Sequence, residues 1–325
     1  MKNINSFRSR HFSLEQLSDG VYAAINAEVG WAICNAGIID LGDRTLVYDA
    51  FMTPAAASDL REAAESLTGR PIQAVINSHY HNDHIWGNQA FSAEVDIISS
   101  MKTRELIETE GPKEVQGFRD GAQERLESLE TEFSNSHDET ALNLLKIYIA
   151  YYQGINAALP TLQIRLPNLT FTGNMTFYGP KRSARLITYE GGHCGSDTIM
   201  YLLDDGIVFM EDLLFSGFHP YLAEGDPGVI QHILAQVRKL QAKTFVPGHG
   251  PVGDASHLDW MDDYIDELNS LAGEVIKDGG TEVELDKIAM PGEYQHLIFP
   301  NIFRDNLKLL YDRQLTSGIG FEPAE

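Results

Sequence analysis

Short apolar runs alternating with helix-forming stretches predict an α/β layered domain for this chain. Three features carry the prediction: the runs are strand-sized and bounded by turn formers, the stretches between several of them have helical patterning, and no repeat or low-complexity linker divides the chain. Val21-Tyr22-Ala23-Ala24-Ile25 and Arg44-Thr45-Leu46-Val47-Tyr48 read as strands, with Gly42-Asp43 as a turn between them. Pro54 to Leu67 reads as a helix, and Ala74-Val75-Ile76 as a buried strand. Helix-like Ile85 to Phe91 leads to a strand at Val95-Asp96-Ile97-Ile98. Further strands are expected at Leu186 to Tyr189, Ile199 to Leu203, Ile207 to Met210 and Thr244 to Val246. Asp226-Pro227 opens a helix, Asp as its cap and Pro in its first turn, with Ile230, Ile233, Val237 and Leu240 on the inner face. Leu258, Met261, Ile265 and Leu268 mark another helix, and Ile302 to Arg313 a last one.

With 325 residues, 43% of them hydrophobic, the chain can bury a large core, and it is expected to form a single domain over 1–325. Two additions are expected on that domain: a helical insertion at about 101–160 and a C-terminal helical extension at about 255–325. In the insertion, Glu105 to Glu130 is charged and helix-prone, whereas Leu142, Leu145, Ile149 and Tyr152 describe an amphipathic stripe. Packing on its own domain is one role for this insertion; covering the site or forming a homodimer contact through Tyr148, Tyr151 and Tyr152 is the other. No apolar stretch is long enough for a membrane span, and Met1 to Arg10 has no apolar segment after its basic residues, so neither membrane insertion nor a signal peptide is expected. Two cysteines, Cys34 and Cys194, fit a reducing cytoplasm better than a disulfide framework, and Cys194 reads as a small buried residue rather than a nucleophile. The formal charge of −23 repels polyanions and argues against a nucleic-acid partner.

Directly after the Ala74-Val75-Ile76 strand the chain reads His79-Tyr80-His81-Asn82-Asp83-His84. In extended backbone alternate side chains share a face, so His79 and His81 can reach one ion while Tyr80 points elsewhere; Asp83 and His84, past the turn, can reach a neighbouring point. Imidazole nitrogen and carboxylate oxygen suit Zn²⁺, Fe or Mn rather than thiolate-held copper. Three further candidates lie beside strands and turns: His193 in Gly191-Gly192-His193-Cys194-Gly195, Asp212 at the exit of the Ile207 to Met210 strand, and His249 in Pro247-Gly248-His249-Gly250.

In these residues the chain resembles the metallo-β-lactamase superfamily. The motif H-x-H-x-D-H is matched by His79, His81, Asp83 and His84, and His193, Asp212 and His249 follow in the family's order, a likeness running from about Val21 to Gly250. The resemblance implies an αββα four-layer sandwich with two divalent metal ions at one edge, zinc first, with iron or manganese as alternatives. His79, His81 and His193 would take one ion, Asp83, His84 and His249 the other, and Asp212 would bridge them. Asp49, closing the Thr45 to Tyr48 strand, looks like the family's early aspartate, which would orient the ligand loop.

The chemistry implied is hydrolysis of a small-molecule carbonyl ester, lactone, thioester or β-lactam by a metal-bridging hydroxide, since two ions about 3.5–4 Å apart lower the pKa of a shared water to about 7. Asp83 would also be catalytic, orienting that hydroxide through a hydrogen bond. The alternatives are an iron-dependent oxidoreductase resembling persulfide dioxygenases, which use one iron, and a phosphoesterase. Flavodiiron-type members carry Glu where this chain has His81, and acyl-homoserine lactonases usually carry Tyr where it has Phe215, so the resemblance disfavours both. Leu213 to Gly228 reads as an aromatic loop walling the substrate pocket, with Phe218, His219 and Tyr221 as candidate contacts; Tyr80 and Trp86 are candidates beside the ligand cluster.

Overall fold

A computed structural model describes residues 7–318. Two β-sheets lie at its centre. The first has strands β1 (Phe12–Ser18), β2 (Val21–Asn26), β3 (Ala36–Asp40), β4 (Thr45–Tyr48), β5 (Ile72–Ile76), β6 (Asp96–Ser100) and β7 (Leu169–Phe171), hydrogen-bonded in chain order. Pairing is antiparallel from β1 to β4 and parallel from β4 to β7. The second sheet runs in the order β12 (Thr244–His249), β11 (Ile207–Phe215), β10 (Asp197–Leu202), β9 (Ser183–Tyr189) and β8 (Asn174–Tyr178). Only β11 and β12 are parallel there.

Period-two alternation decides which layer each side chain joins. Along β4, Leu46 and Tyr48 pack between the sheets with Met200, Leu202 and Phe209, while Val47 between them faces α1 (Pro54–Thr68). In β5, Ala74 and Ile76 face the other sheet and Val75 faces Leu60 and Ala64 of α1. Tyr48 also ties the layers together, its hydroxyl donating to Thr198 O at 2.5 Å. The outer face of the second sheet is covered by α5 (Pro227–Arg238), α6 (Ala255–Lys277) and α8 (Pro300–Gly318), through Ile230, Ile233, Met261, Ile265, Phe303 and Leu307. The layering is therefore αββα. Asp226 caps α5, accepting from Gly228 N at 2.9 Å, with Pro227 as its first residue. Leu240 lies past the end of α5, so the helical face ends at Val237.

The insertion is an antiparallel helical pair, α3 (Met101–Asn135) and α4 (Glu139–Ala158). It packs on the sandwich through a core of its own in which Ile107, Val115 and Ile155 meet Met52, Ile85 and Trp86. The C-terminal extension holds α6, a short α7 (Glu282–Leu285) and α8; positions 319–325 of the expected extension and 1–6 of the N-terminal stretch lie outside the described residues. Among the described residues no helix is long and apolar enough to cross a membrane. One expected boundary moves. Asp212 lies inside β11 rather than past its end, at a place where the register against β12 shifts around Glu211, whose φ is +51°.

Candidate metal centre

All seven candidate donors gather at one edge of the sandwich. The loop after β5 carries His79 and His81, and His81 precedes a single helical turn, α2 (Asn82–Ile85), that turns Asp83 and His84 back toward the same point. Asp49, at φ +61°, holds this loop: it accepts from Ser78 N and Ser78 Oγ, each at 2.9 Å, and lies 2.8 Å from His84 Nδ1. The β9–β10 turn is fixed by Asp197, whose carboxylate accepts from the backbone N–H of Gly192, His193 and Cys194 at 2.9–3.0 Å. Asn35 fixes the third loop, donating from Nδ2 to Pro247 O and Gly250 O at 2.9 and 2.8 Å. Gly248 is required by packing: a Cβ there would stand 1.9 Å from Asp212 Oδ1.

Two donor groups result. His79 Nε2 and His193 Nε2 lie 3.1 and 3.0 Å from His81 Nδ1. His249 Nε2 lies 3.5 Å and His84 Nε2 3.7 Å from Asp83 Oδ2. Asp212 stands between the groups, with Oδ2 3.4 Å from His193 Nε2 and 3.3 Å from His249 Nε2, and Oδ1 3.3 Å from His84 Nε2.

The outward nitrogens decide what the inward ones present. His193 Nδ1 meets Tyr221 O at 3.1 Å and His249 Nδ1 meets Ile33 O at 3.1 Å; a carbonyl can only accept, so both rings carry the proton on Nδ1. His79 Nδ1 faces Glu211 Oε2 at 2.8 Å, His84 Nδ1 faces Asp49, and His81 Nε2 faces Glu224 Oε2 at 3.0 Å. With those protons outward, each ring turns its other nitrogen toward the others and toward Asp212; although burial opposes it, neighbouring acidic groups raise His81, His84 and His249 above the ordinary histidine range. Burial lowers His79 well below the ordinary histidine range and His193 to about 3, which keeps both in the neutral, ligating form. Although burial opposes it, the imidazoles of His249, His84 and His193 hold the Asp212 carboxyl well below the usual carboxylate range. His84 Nε2 and Asp212 Oδ1 are buried with no hydrogen-bond partner among the described residues. His79 and His193, held neutral, both aim Nε2 at His81 Nδ1, which can donate to only one of them, and a cation among these groups would satisfy the remaining lone pairs, so the donor set fits divalent metal.

A cavity of about 300 Å³ opens over the donors, lined by His81, Asp83, Asp212 and His249 and by Phe218, His219 and Tyr221 of the expected aromatic wall. Phe215 also lines it and stacks on His249, ring centroids 5.3 Å apart. His219 is 1% exposed, with Nδ1 3.0 Å from the Tyr264 hydroxyl and Nε2 without a hydrogen-bond partner among the described residues. Two expected contacts differ. Trp86 is a buried core residue packed edge-on against Phe118, and is not in the cavity wall. Tyr80 is also absent from the wall; its hydroxyl bonds Glu224 instead. Cys194 is fully buried, and burial pushes its thiol far up, in keeping with a packed residue. Cys34, likewise raised by burial to about 12, donates to Asp83 O.

Sequence reasoning missed four acidic groups and Tyr151. Glu211 supports His79, Asp197 supports the His193 turn, Glu224 supports His81, and Glu114 of α3 lines the cavity beside Tyr151 of α4. A signal existed for Glu211, an acidic residue inside the apolar run Ile207 to Phe215, where a buried charge calls for a partner.

Comparison with known proteins agrees with this fold. Structures of a metallo-beta-lactamase from Pontibacter korlensis and of one from Hirschia baltica each superpose with a TM-score of 0.55, at 16% and 13% identity. Both alignments cover 78% of this chain and 97% of the other. The FIM-1 enzyme of Pseudomonas aeruginosa, solved in a mono-zinc form, gives the same TM-score at 13% identity, over 78% of this chain and 93% of that one. At such identities the likeness establishes the fold. The family model for the metallo-beta-lactamase superfamily, however, matches residues 29–249, a span that includes all seven donors. On that match the chain belongs to the metallo-beta-lactamase superfamily.

Proposed function

We propose that this protein is a dinuclear metal-dependent hydrolase that cleaves a small-molecule carbonyl ester, lactone, thioester or β-lactam. The observation that carries the reading is the convergence of ring nitrogens and the Asp83 carboxylate in two groups with the Asp212 carboxylate between them. His79, His81 and His193 would hold one ion, Asp83, His84 and His249 the second, and Asp212 both. Bound divalent ions, zinc first and iron or manganese otherwise, would supply Lewis-acid polarisation of the carbonyl and an acidified water as nucleophile.

The remaining work falls to the chain's own groups. Asp83, at the cavity surface, accepts a hydrogen bond from the attacking water and orients it. Glu211, Asp49, Glu224 and the carbonyls of Tyr221 and Ile33 fix tautomer and ring direction, so the donors need no rearrangement to bind metal. Phe215, Phe218 and Tyr221 present apolar surface that displaces water from the reacting carbonyl. The wall holds Asp83, Asp212, Glu114 and Glu224 but no Lys or Arg, which favours uncharged substrates over phosphate esters and nucleic acids.

Metal analysis of protein purified without added metal, followed by a panel of esters, lactones, β-lactams and phosphoesters, tests the proposal. About two ions per chain are expected, with carbonyl hydrolysis abolished by chelation and by His81→Ala. One iron per chain without hydrolysis would overturn it in favour of the oxidoreductase reading.

A further inference from the structure

Beside the metal cavity lies a second recess of about 370 Å³. The two are adjacent: Ile33, Tyr151, Phe218, His249 and Phe299 line both, so the donor residue His249 borders the recess as well as the cavity. Beyond this shared wall the recess is apolar, with Ile25 from β2, Ile147 from α4 and Ile298 from the C-terminal extension. Its polar members are committed elsewhere or face water. Asn26 accepts from Ile33 N through Oδ1 at 3.1 Å, Glu28 is solvent-exposed, and the Tyr151 hydroxyl is bonded to Asn82. His249 Nε2 belongs to the donor group.

The recess is built rather than incidental. Ile298 is held to the first cavity's wall by a backbone bridge to Phe218, with Ile298 N donating to Gly217 O and His219 N donating to Ile298 O, both at 3.1 Å. Phe299 stands at φ +64°, a conformation that aromatic residues rarely adopt, and packs against Phe218 and Tyr148 at 5.9 and 5.1 Å between ring centroids. Tyr148 in turn donates to Asn301 Oδ1 at 2.6 Å, joining α4 to the extension. Two separate additions to the sandwich thus meet to form a largely apolar slot beside the donor residue His249.

We propose that this slot receives an uncharged hydrophobic limb of the substrate, a medium-length alkyl chain attached to the carbonyl that reacts over the metal site. The inference deepens the hydrolase reading and rests on it. An anionic limb would meet Glu28 and no Lys or Arg in the lining, and any charged limb set along Ile25, Ile147 and Ile298 would lose its hydration there. Each methylene transferred from water into the slot favours the bound state enough to raise kcat/KM by up to about fourfold.

Two measurements test this on the full chain. The first is kcat/KM for p-nitrophenyl acetate, butyrate, octanoate and decanoate. The second is fluorescence titration with the neutral probe N-phenyl-1-naphthylamine, competed by decanol, on metal-loaded and chelator-treated protein. The expected result is a rise in kcat/KM along the ester series and a decanol-displaceable probe signal in both protein forms. Ile147→Trp, which fills the slot, should flatten the series and abolish the signal with metal content unchanged. Ile147→Glu, at a half-buried helix position, is the second variant, and circular dichroism on both verifies folding. Ester hydrolysis with no dependence on chain length and no probe binding would overturn the slot while leaving the hydrolase reading intact. Probe binding lost in Ile147→Trp, with no ester or lactone hydrolysed, would overturn the hydrolase reading and the substrate limb with it, leaving a hydrophobic-ligand site.

Discussion

The floor of the cavity and its roof come from different parts of the chain. The donors on the floor stand on β11, β12, the turn α2 and the loops of the two sheets, between His79 and His249, inside the stretch that matches the superfamily. The roof comes from α3 and α4, which supply Glu114, Ile147 and Tyr151, and from the segment carrying Ile298, Phe299 and Ile302. Floor residues are constrained atom by atom, because each ring must aim one nitrogen inward and have an acceptor behind the other. Roof residues need only the right bulk and polarity. Changes to the floor should therefore alter metal content, and changes to the roof should alter substrate range with metal retained.

The largest effect is expected at Asp212→Ala. Removing the carboxylate between the donor groups takes from His193 the anion it faces and leaves His84 and His249 with Asp83 alone. Metal analysis should show at least one ion lost per chain, and carbonyl hydrolysis should fall by about 10²–10³-fold or more, the scale of deleting one preorganised electrostatic group. Full metal content in this variant would break the distinction between floor and roof. A step outward, Glu211→Ala removes the acceptor behind His79 Nδ1 without touching the inner nitrogens. Chelator competition should show metal affinity down by about 10–100-fold, as for other outer partners of ligating histidines.

Legibility in the sequence divides along the same line. The His79 to His84 run was readable because imidazoles and carboxylates at that density have few structural uses, and His193 and His249 because glycine-rich turns flank them. Most interior strands were readable from their apolar runs. The strands left out were β1, β7 and β8, which are half-exposed or short and carry no clean alternation, and β3, a buried run of five residues that opens on Ala36-Gly37. Glu211 and Glu224 were illegible as supports because their partners, His79 and His81, lie more than a hundred residues away. The roof was readable only as helices. That Phe299 meets Phe218 and Tyr148 depends on how two insertions dock, which no local pattern encodes.

A roof change that tests electrostatics is Glu114→Gln. Burial pushes the Glu114 carboxyl up to about 7, from an ordinary value of 4.5. The folded state then binds a proton more tightly than the unfolded state, so this group's contribution to stability is fully present below about pH 4.5 and is lost as pH rises through about 7. In chelator-treated protein, Glu114→Gln should match wild type near pH 4.5 and exceed it by roughly 1–3 kcal/mol at pH 8, read from denaturant midpoints. Equal stability at both pH values would mean that Glu114 is as well solvated as a surface carboxyl.

The smallest effect is expected where the two halves of the roof are tied. Tyr148→Phe keeps the ring that packs on Phe299 and removes only the hydroxyl that donates to Asn301. The bond is partly exposed, so water replaces it and the cost should stay near or below about 1 kcal/mol, a fall in Tm of a few degrees at most. Its value lies in what accompanies it. Metal content should not change, because no donor or outer partner touches Tyr148, whereas KM for octanoate should rise more than KM for acetate as α4 and the Phe299 segment loosen about the slot. An equal change for both esters would place the tie outside the substrate path and make the roof a single rigid cover rather than two parts closing on one another.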